Sequence, residues 1–142
     1  NIVAALKKAA PIVEKNQIML VVEPLNTMVD HKGYYLYLSS EGFEIIREVS
    51  SPNIKLLYDV YHQQISEGNL IQTIQQNIDL IGHFHIADVP GRHEPGTGEI
   101  NYKNVFNAIY KTGYKGFVGL EYRPSASTEI TLEKVIALNK CC

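Results

Sequence analysis

Four short apolar runs recur along the chain: IMLVVEPLN, IKLLYDVYH, IGHFHIAD and GFVGLEYRP. Each is followed by a stretch of helical character. Near the C-terminal end of each run stands one metal-type or acid/base residue: Glu23, Asp59, His85 and Glu121. Strand-like runs alternating with helices of this length predict a parallel sheet with right-handed crossovers. In such a sheet the C-terminal strand ends carry the loops that build active sites. The pattern thus constrains the fold and the site together.

The predicted elements are a helix over 1–16, strands over 18–25, 54–60, 80–87 and 116–122, and helices after Ser39 or Ser40 and over 70–78, 102–111 and 128–139. Pro11 strains the first helix, and Asn16 suits its C-terminal stop. Ser39 or Ser40 caps the second helix, and Thr128 or Thr131 the last. Gly113 suits the end of helix 102–111. The order is one helix, then strand and helix four times, in one domain spanning residues 1–142. A (β/α)8 barrel needs about 250 residues, and this chain has 142 and opens on a helix with no strand before it. The expected fold is α/β, the C-terminal half of such a barrel.

Composition narrows the partners. With 45% hydrophobic and 20% charged residues, the chain reads as a soluble globular protein. A net charge of -2 supplies no basic field for nucleic acid. No run approaches the roughly 18 apolar residues of a membrane span. The two cysteines, Cys141 and Cys142, are neighbours at the C-terminus and read as reduced thiols, which fits a cytoplasmic location.

The four strand-end residues stand roughly one βα unit apart and so converge on one rim. A lone carboxylate at a strand end is ordinarily solvated. Here each follows an apolar stretch (LVV, KLLY, FVGL), where burial without a partner is costly. His83 and His85 share a face, and His85, closer to the strand end, is the expected ligand. Three carboxylates and one imidazole form a hard donor set that suits Mg²⁺ or Mn²⁺. His62 is placed to hydrogen-bond a substrate oxygen, and Arg92 to hold a carboxylate or phosphate. Asn26, Asp88, His93, Glu94 and Arg123 are weaker candidates, because most polar loop residues are simply solvated.

The segments VVEPLN, LLYDVYHQQ, HFHIADVPGRHEPGTGEINY and GFVGLEYRP resemble the hydroxypyruvate isomerase family, within the xylose-isomerase-like TIM barrels. The resemblance covers essentially the whole chain but only the C-terminal half of that barrel. It implies Glu23, Asp59, His85 and Glu121 as metal ligands, Glu23 and Glu121 as the acid/base pair, and His62 and Arg92 as substrate contacts. It implies interconversion of hydroxypyruvate and tartronate semialdehyde through a metal-stabilised enediolate, with Arg92 on the substrate carboxylate. The alternatives are a sugar or sugar-phosphate isomerase or 3-epimerase of the same superfamily, and a barrel fragment without activity of its own. Four strands leave two open sheet edges, which makes a homo-oligomer an expectation to test.

Overall fold

A computed structural model describes residues 1–139. Cys141 and Cys142, read above as free thiols, lie outside the described residues. The elements are α1 (Ile2–Lys15), β1 (Leu20–Val22), α2 (Ser39–Val49), β2 (Ile54–Asp59), α3 (Val60–Ser66), α4 (Leu70–Asn77), β3 (Ile81–Ile86), α5 (Tyr102–Lys111), β4 (Val118–Leu120) and α6 (Thr128–Asn139). A 3-10 turn over Ile78–Leu80 joins α4 to β3. The four strands are parallel and lie in chain order, β1-β2-β3-β4. The alternation expected from the sequence is therefore the fold.

The core lies between one face of the sheet and the helices. Ile54, Leu56 and Tyr58 alternate along β2, and Phe84 and Ile86 along β3, against Phe43, Ile46 and Val49 of α2 and Val105, Phe106 and Ile109 of α5. The intervening residues Asp59 and His85, two apart from Leu57 and His83, take the opposite face, as the two-residue period requires. The outer strands β1 and β4 are short, and each pairs on one side only. Apolar side chains beside them are open to solvent, with Met19 at 48% and Phe117 at 81% exposure. The register between β2 and β3 shifts after Leu56: Leu56 stands opposite Ile81 but Leu57 opposite His83.

Several local expectations change. Helix α1 runs through Pro11 without a break, since a proline forfeits one N–H while the helix leans on the core through Leu6, Ala10 and Val13. The strand-like run IKLLYDVYHQQ ends at Asp59 rather than Val60, because the Asp59 carboxylate caps a further helix, α3. Its Oδ1 accepts from the backbone N–H groups of Tyr61 (2.8 Å) and His62 (3.4 Å). Ser39 and Ser40 do not cap α2. Leu38 holds the N-cap position, and the first N–H groups donate instead to Gln63 Oε1 (3.1 Å) and Glu67 Oε1 (3.3 Å), from α3 and its C-cap. Ser127, rather than either threonine, accepts from the first turn of α6, taking the N–H of Ile130 at 3.4 Å. Asn16 and Gly113 do end their helices, the glycine at φ 76°.

The loop between β3 and α5 is built on two buried carboxylates that the sequence reading ranks as weak. Asp88 accepts from the backbone N–H groups of Val89 (2.9 Å), Gly96 (2.8 Å) and Ile100 (3.1 Å). Gly98 passes so close that a Cβ there would stand 2.0 Å from the Val89 carbonyl oxygen. Glu94 ties this loop to the one after β4. It accepts from the Ser125 hydroxyl (2.5 Å) and Ser125 N–H (3.0 Å), with Lys134 Nζ at 3.7 Å.

Burial alone would raise the Glu94 carboxyl, but the Ser125 hydrogen bonds and the Lys134 charge outweigh it and hold its pKa at about 2. A depressed folded pKa means stability that is present above the unfolded value of about 4.5 and lost as pH falls toward 2. Acid unfolding of the protein should therefore lose a component between those pH values on Glu94→Gln. Identical acid-melting curves for the two proteins would contradict that role.

Candidate active site

The C-terminal ends of the four strands bring together the four residues singled out in the sequence. Glu23 follows β1 directly, Asp59 ends β2, His85 lies one residue before the end of β3, and Glu121 follows β4. Each offers one ligand-type atom, and these atoms all lie within 4.8 Å of one another. His85 Nδ1 is 3.3 Å from Glu121 Oε2 and 3.7 Å from Glu23 Oε1. Gly119 makes room for this packing, because a Cβ there would sit 2.9 Å from His83 Nε2 and 3.0 Å from His85 Cδ2. The His83 ring meets that of His85 edge-on at 5.0 Å, one step further from the carboxylates.

The donor set fits a divalent cation. Among the described residues, Glu23 Oε1 and His85 Nδ1 are buried without a hydrogen-bond partner. Both point into the same cluster, and buried polar atoms ordinarily find a partner. The Glu23 carboxyl is pushed up to about 7, first by burial and then by the charges of Asp59 and Glu121, with Arg92 opposing. Asp59 is also raised, by burial, against the pull of Arg92. Three carboxylates held this close together are what a cation of charge two would relieve.

His62 and Arg92 belong to the same constellation. His62 is fully buried rather than a surface histidine. Its Nδ1 lies 3.2 Å from the backbone N–H of Asn26 and 2.7 Å from the Asn26 side-chain nitrogen. Burial, followed by the Arg92 charge, lowers its pKa to about 3, so the ring is neutral at physiological pH. Since a backbone N–H can only donate, Nδ1 is the acceptor and Nε2 carries the proton toward the site.

Arg92 comes from the β3–α5 loop at φ 56°. Its Nη2 donates to Asp59 Oδ2 (3.0 Å) and Glu121 Oε2 (2.5 Å), and its guanidinium lies 4.7 Å over the Tyr61 ring. A cavity of about 370 Å³ opens above the cluster, lined by Glu23, His62, Arg92 and Glu121 together with His31 and Arg123.

The sequence reading missed the layer beneath His62. Asn26 Nδ2 and the Tyr61 hydroxyl both donate to Asp30 Oδ2, at 2.9 and 2.8 Å. Against burial, these bonds keep the Asp30 carboxyl below its usual range. His31 packs its ring 5.3 Å from that of His62. Of this layer the sequence reading named only Asn26, as a weaker candidate, because Asp30 and His31 sit in a polar, aperiodic loop. Asp88 and Glu94 are buried and spend their oxygens on the loop backbone and Ser125. His93 Nδ1 contacts the Arg123 carbonyl at 2.7 Å, joining the two loops at the rim.

Residues 1–141 match the xylose isomerase-like TIM barrel family. The chain belongs to that family. It is 44% identical to hydroxypyruvate isomerase of Escherichia coli, over 93% of this chain and 51% of that protein. It is 43% identical to 2-oxo-tetronate isomerase of Cupriavidus necator, over 81% of this chain and 44% of that protein. Among solved structures it superposes on one described as AP endonuclease, family 2, from Brucella melitensis, with a TM-score of 0.89 and 36% identity. That match covers 95% of this chain and 52% of the other. The chain thus spans about half the length of the curated relatives it matches, in keeping with half of a barrel. None of the helices among the described residues is long and apolar enough to cross a membrane.

Proposed function

We propose that this xylose isomerase-like half-barrel carries the proton-transfer centre of an intramolecular oxidoreductase acting on hydroxypyruvate and tartronate semialdehyde. The observation that carries this reading is the convergence of Glu23, Asp59, His85 and Glu121 within 4.8 Å at the floor of a polar cavity. The relatives named hydroxypyruvate isomerase and 2-oxo-tetronate isomerase support it.

Interconverting the two acids requires a proton to leave one carbon beside a carbonyl and another to arrive on its neighbour, through an enediolate. Glu23, a partly buried carboxylate at the edge of the cavity, is placed to take and return a proton. Glu121, across the cluster, serves as the second carboxylate of the pair. Asp59 and His85 complete the donor set for a divalent ion, Mg²⁺ or Mn²⁺ from its hard character. Such an ion, when bound, supplies Lewis-acid stabilisation of the enediolate charge. His62, neutral and donating from Nε2, can hold a substrate oxygen without competing for its proton. Arg92 provides the forked donor that a substrate carboxylate would meet.

A substrate panel on the full-length protein, with Mn²⁺ or Mg²⁺ added, tests the reading. Hydroxypyruvate should exceed a neutral ketohexose in kcat/KM by about 10- to 100-fold, the scale of one charged hydrogen bond. The 43% identity to a 2-oxo-tetronate isomerase makes that four-carbon acid the second substrate to include. Preference for the neutral sugar would replace the reading with a sugar isomerase or 3-epimerase. No turnover on any of the three would overturn the isomerase reading.

A further inference from the structure

We infer that Arg92 and a divalent cation compete for the same two carboxylate oxygens, so that metal binding drives the guanidinium off the strand ends and into the substrate cavity. The inference rests on the metal site proposed above.

Asp59 has one oxygen to spare. Its Oδ1 is committed to the N-terminus of α3, through Tyr61 and His62. The remaining oxygen, Oδ2, is held by Arg92 Nη2 at 3.0 Å. The same nitrogen takes Glu121 Oε2 at 2.5 Å. These are the carboxylates that, with Glu23 and His85, form the donor cluster. A guanidinium in contact with both oxygens and an ion of charge two on the same oxygens would repel each other at close range.

Besides the carboxylates, Arg92 has a long Nε contact to the Glu121 carbonyl at 3.4 Å and the face of the Tyr61 ring, and its contact with His62 opposes these. His62 Nδ1 accepts from the backbone N–H of Asn26, so its Nε2 bears the hydrogen. That Nε2 faces Arg92 Nη1 at 3.1 Å. Two donors therefore point at each other, and the contact costs rather than stabilises. Once a divalent ion satisfies the carboxylates, only the long contact to the Glu121 carbonyl and the Tyr61 ring face remain to hold the guanidinium.

The backbone does not have to follow. Arg92 N–H donates to the Asp88 carbonyl at 3.0 Å, and the Arg92 carbonyl accepts from Arg123 N–H at 2.7 Å. The loop is pinned on both sides of the residue, so the change is one of side-chain rotamer. The cavity that Arg92 already lines is the open direction. Displaced there, the guanidinium faces an incoming carboxylate group, and the His62 Nε2–H is freed for a substrate oxygen. Metal binding would then precede and favour capture of the anionic end of the substrate.

Calorimetric titration of Mn²⁺ into the full-length protein, its Arg92→Gln variant and its Arg92→Lys variant tests this. Arg92→Gln removes the competing charge and should bind Mn²⁺ about tenfold more tightly, the scale of one charged hydrogen bond lost from the competitor. Arg92→Lys keeps the charge without the fork and should fall between the two. Equal or weaker Mn²⁺ binding by Arg92→Gln overturns the displacement while leaving the metal site standing. No Mn²⁺ binding by any of the three overturns the metal site as well. In the unsubstituted protein, the ¹⁵Nε resonance of Arg92 should move on saturation with Mg²⁺, and an unmoved signal in Mg²⁺-saturated protein overturns the displacement independently of any variant.

Discussion

Glu121→Gln should abolish isomerase turnover in the full-length protein while leaving its melting temperature almost unchanged. The substitution keeps the size and the hydrogen-bonding reach of the side chain but removes the ability to carry a proton between substrate carbons. A positioned acid/base group contributes on the order of 10²- to 10⁴-fold to such a step. Stability should hardly respond. Glu121 is 52% exposed, and its ion pair with Arg92 is therefore screened on one side. An exposed pair of that kind is worth at most about 1 kcal/mol. Steady-state turnover of hydroxypyruvate beside a thermal melt separates the two effects. Turnover within tenfold of the unsubstituted protein would remove Glu121 from the acid/base pair.

Asp59 should behave in the opposite way, because its two oxygens serve different ends. Oδ1 caps α3, and Oδ2 faces Arg92 and the donor cluster. Asp59→Ala deletes both functions at a position that is 1% exposed. The lost cap costs about 1 kcal/mol, and leaving Arg92 without its buried partner adds about 1–3 kcal/mol. The variant should melt well below the parent protein. Asp59→Asn keeps an oxygen for the cap and removes a carboxylate that burial already disfavours. Its amide NH2 then meets Arg92 as a second donor, so it should melt between Asp59→Ala and the parent and bind Mn²⁺ far more weakly, as one of three anionic ligands is gone. Paired melts and Mn²⁺ titrations of the two variants check this. Equal stability of Asp59→Ala and the parent would show that α3 does not depend on its cap.

The sequence revealed the sheet and the four strand-end residues for one reason. In a parallel barrel wall, strand, helix and rim position repeat at a common period, so a polar residue breaking each apolar run marks the same height every time. What it concealed is what that period does not encode. Helix α3 was invisible because VYHQQIS has the branched and aromatic content of a strand, and one carboxylate decides its start. The capping of α2 by Gln63 and Glu67 comes from side chains distant in sequence. Asp88 and Glu94 read as solvated loop residues, yet both are buried, Asp88 because its own loop folds N–H groups onto it and Glu94 because Ser125 of the loop after β4 donates to it. His62 was identified as a contact, but its burial and its bond to Asn26 depend on two loops meeting. Arg92 was identified as an anion-binding residue, and nothing local foretold that its partners here are the site's own carboxylates.

The shifted register between β2 and β3 has a consequence for how the site can be lost. Leu56 faces Ile81, Leu57 faces His83, and so Asp59 faces His85. Gly82 is the residue passed over, and it is small where a Cβ would stand 2.7 Å from that of Lys55. In an unshifted ladder Phe84 would occupy the rung opposite Asp59. Deleting Gly82 would keep His85 opposite Asp59, whereas a ladder that closed without the skip over Gly82 would leave every polar side chain of the site in the sequence and still turn the imidazole toward the helices, with a phenyl ring in its place. The competence of this rim is thus a matter of phase between two strands, which an inventory of site residues cannot register.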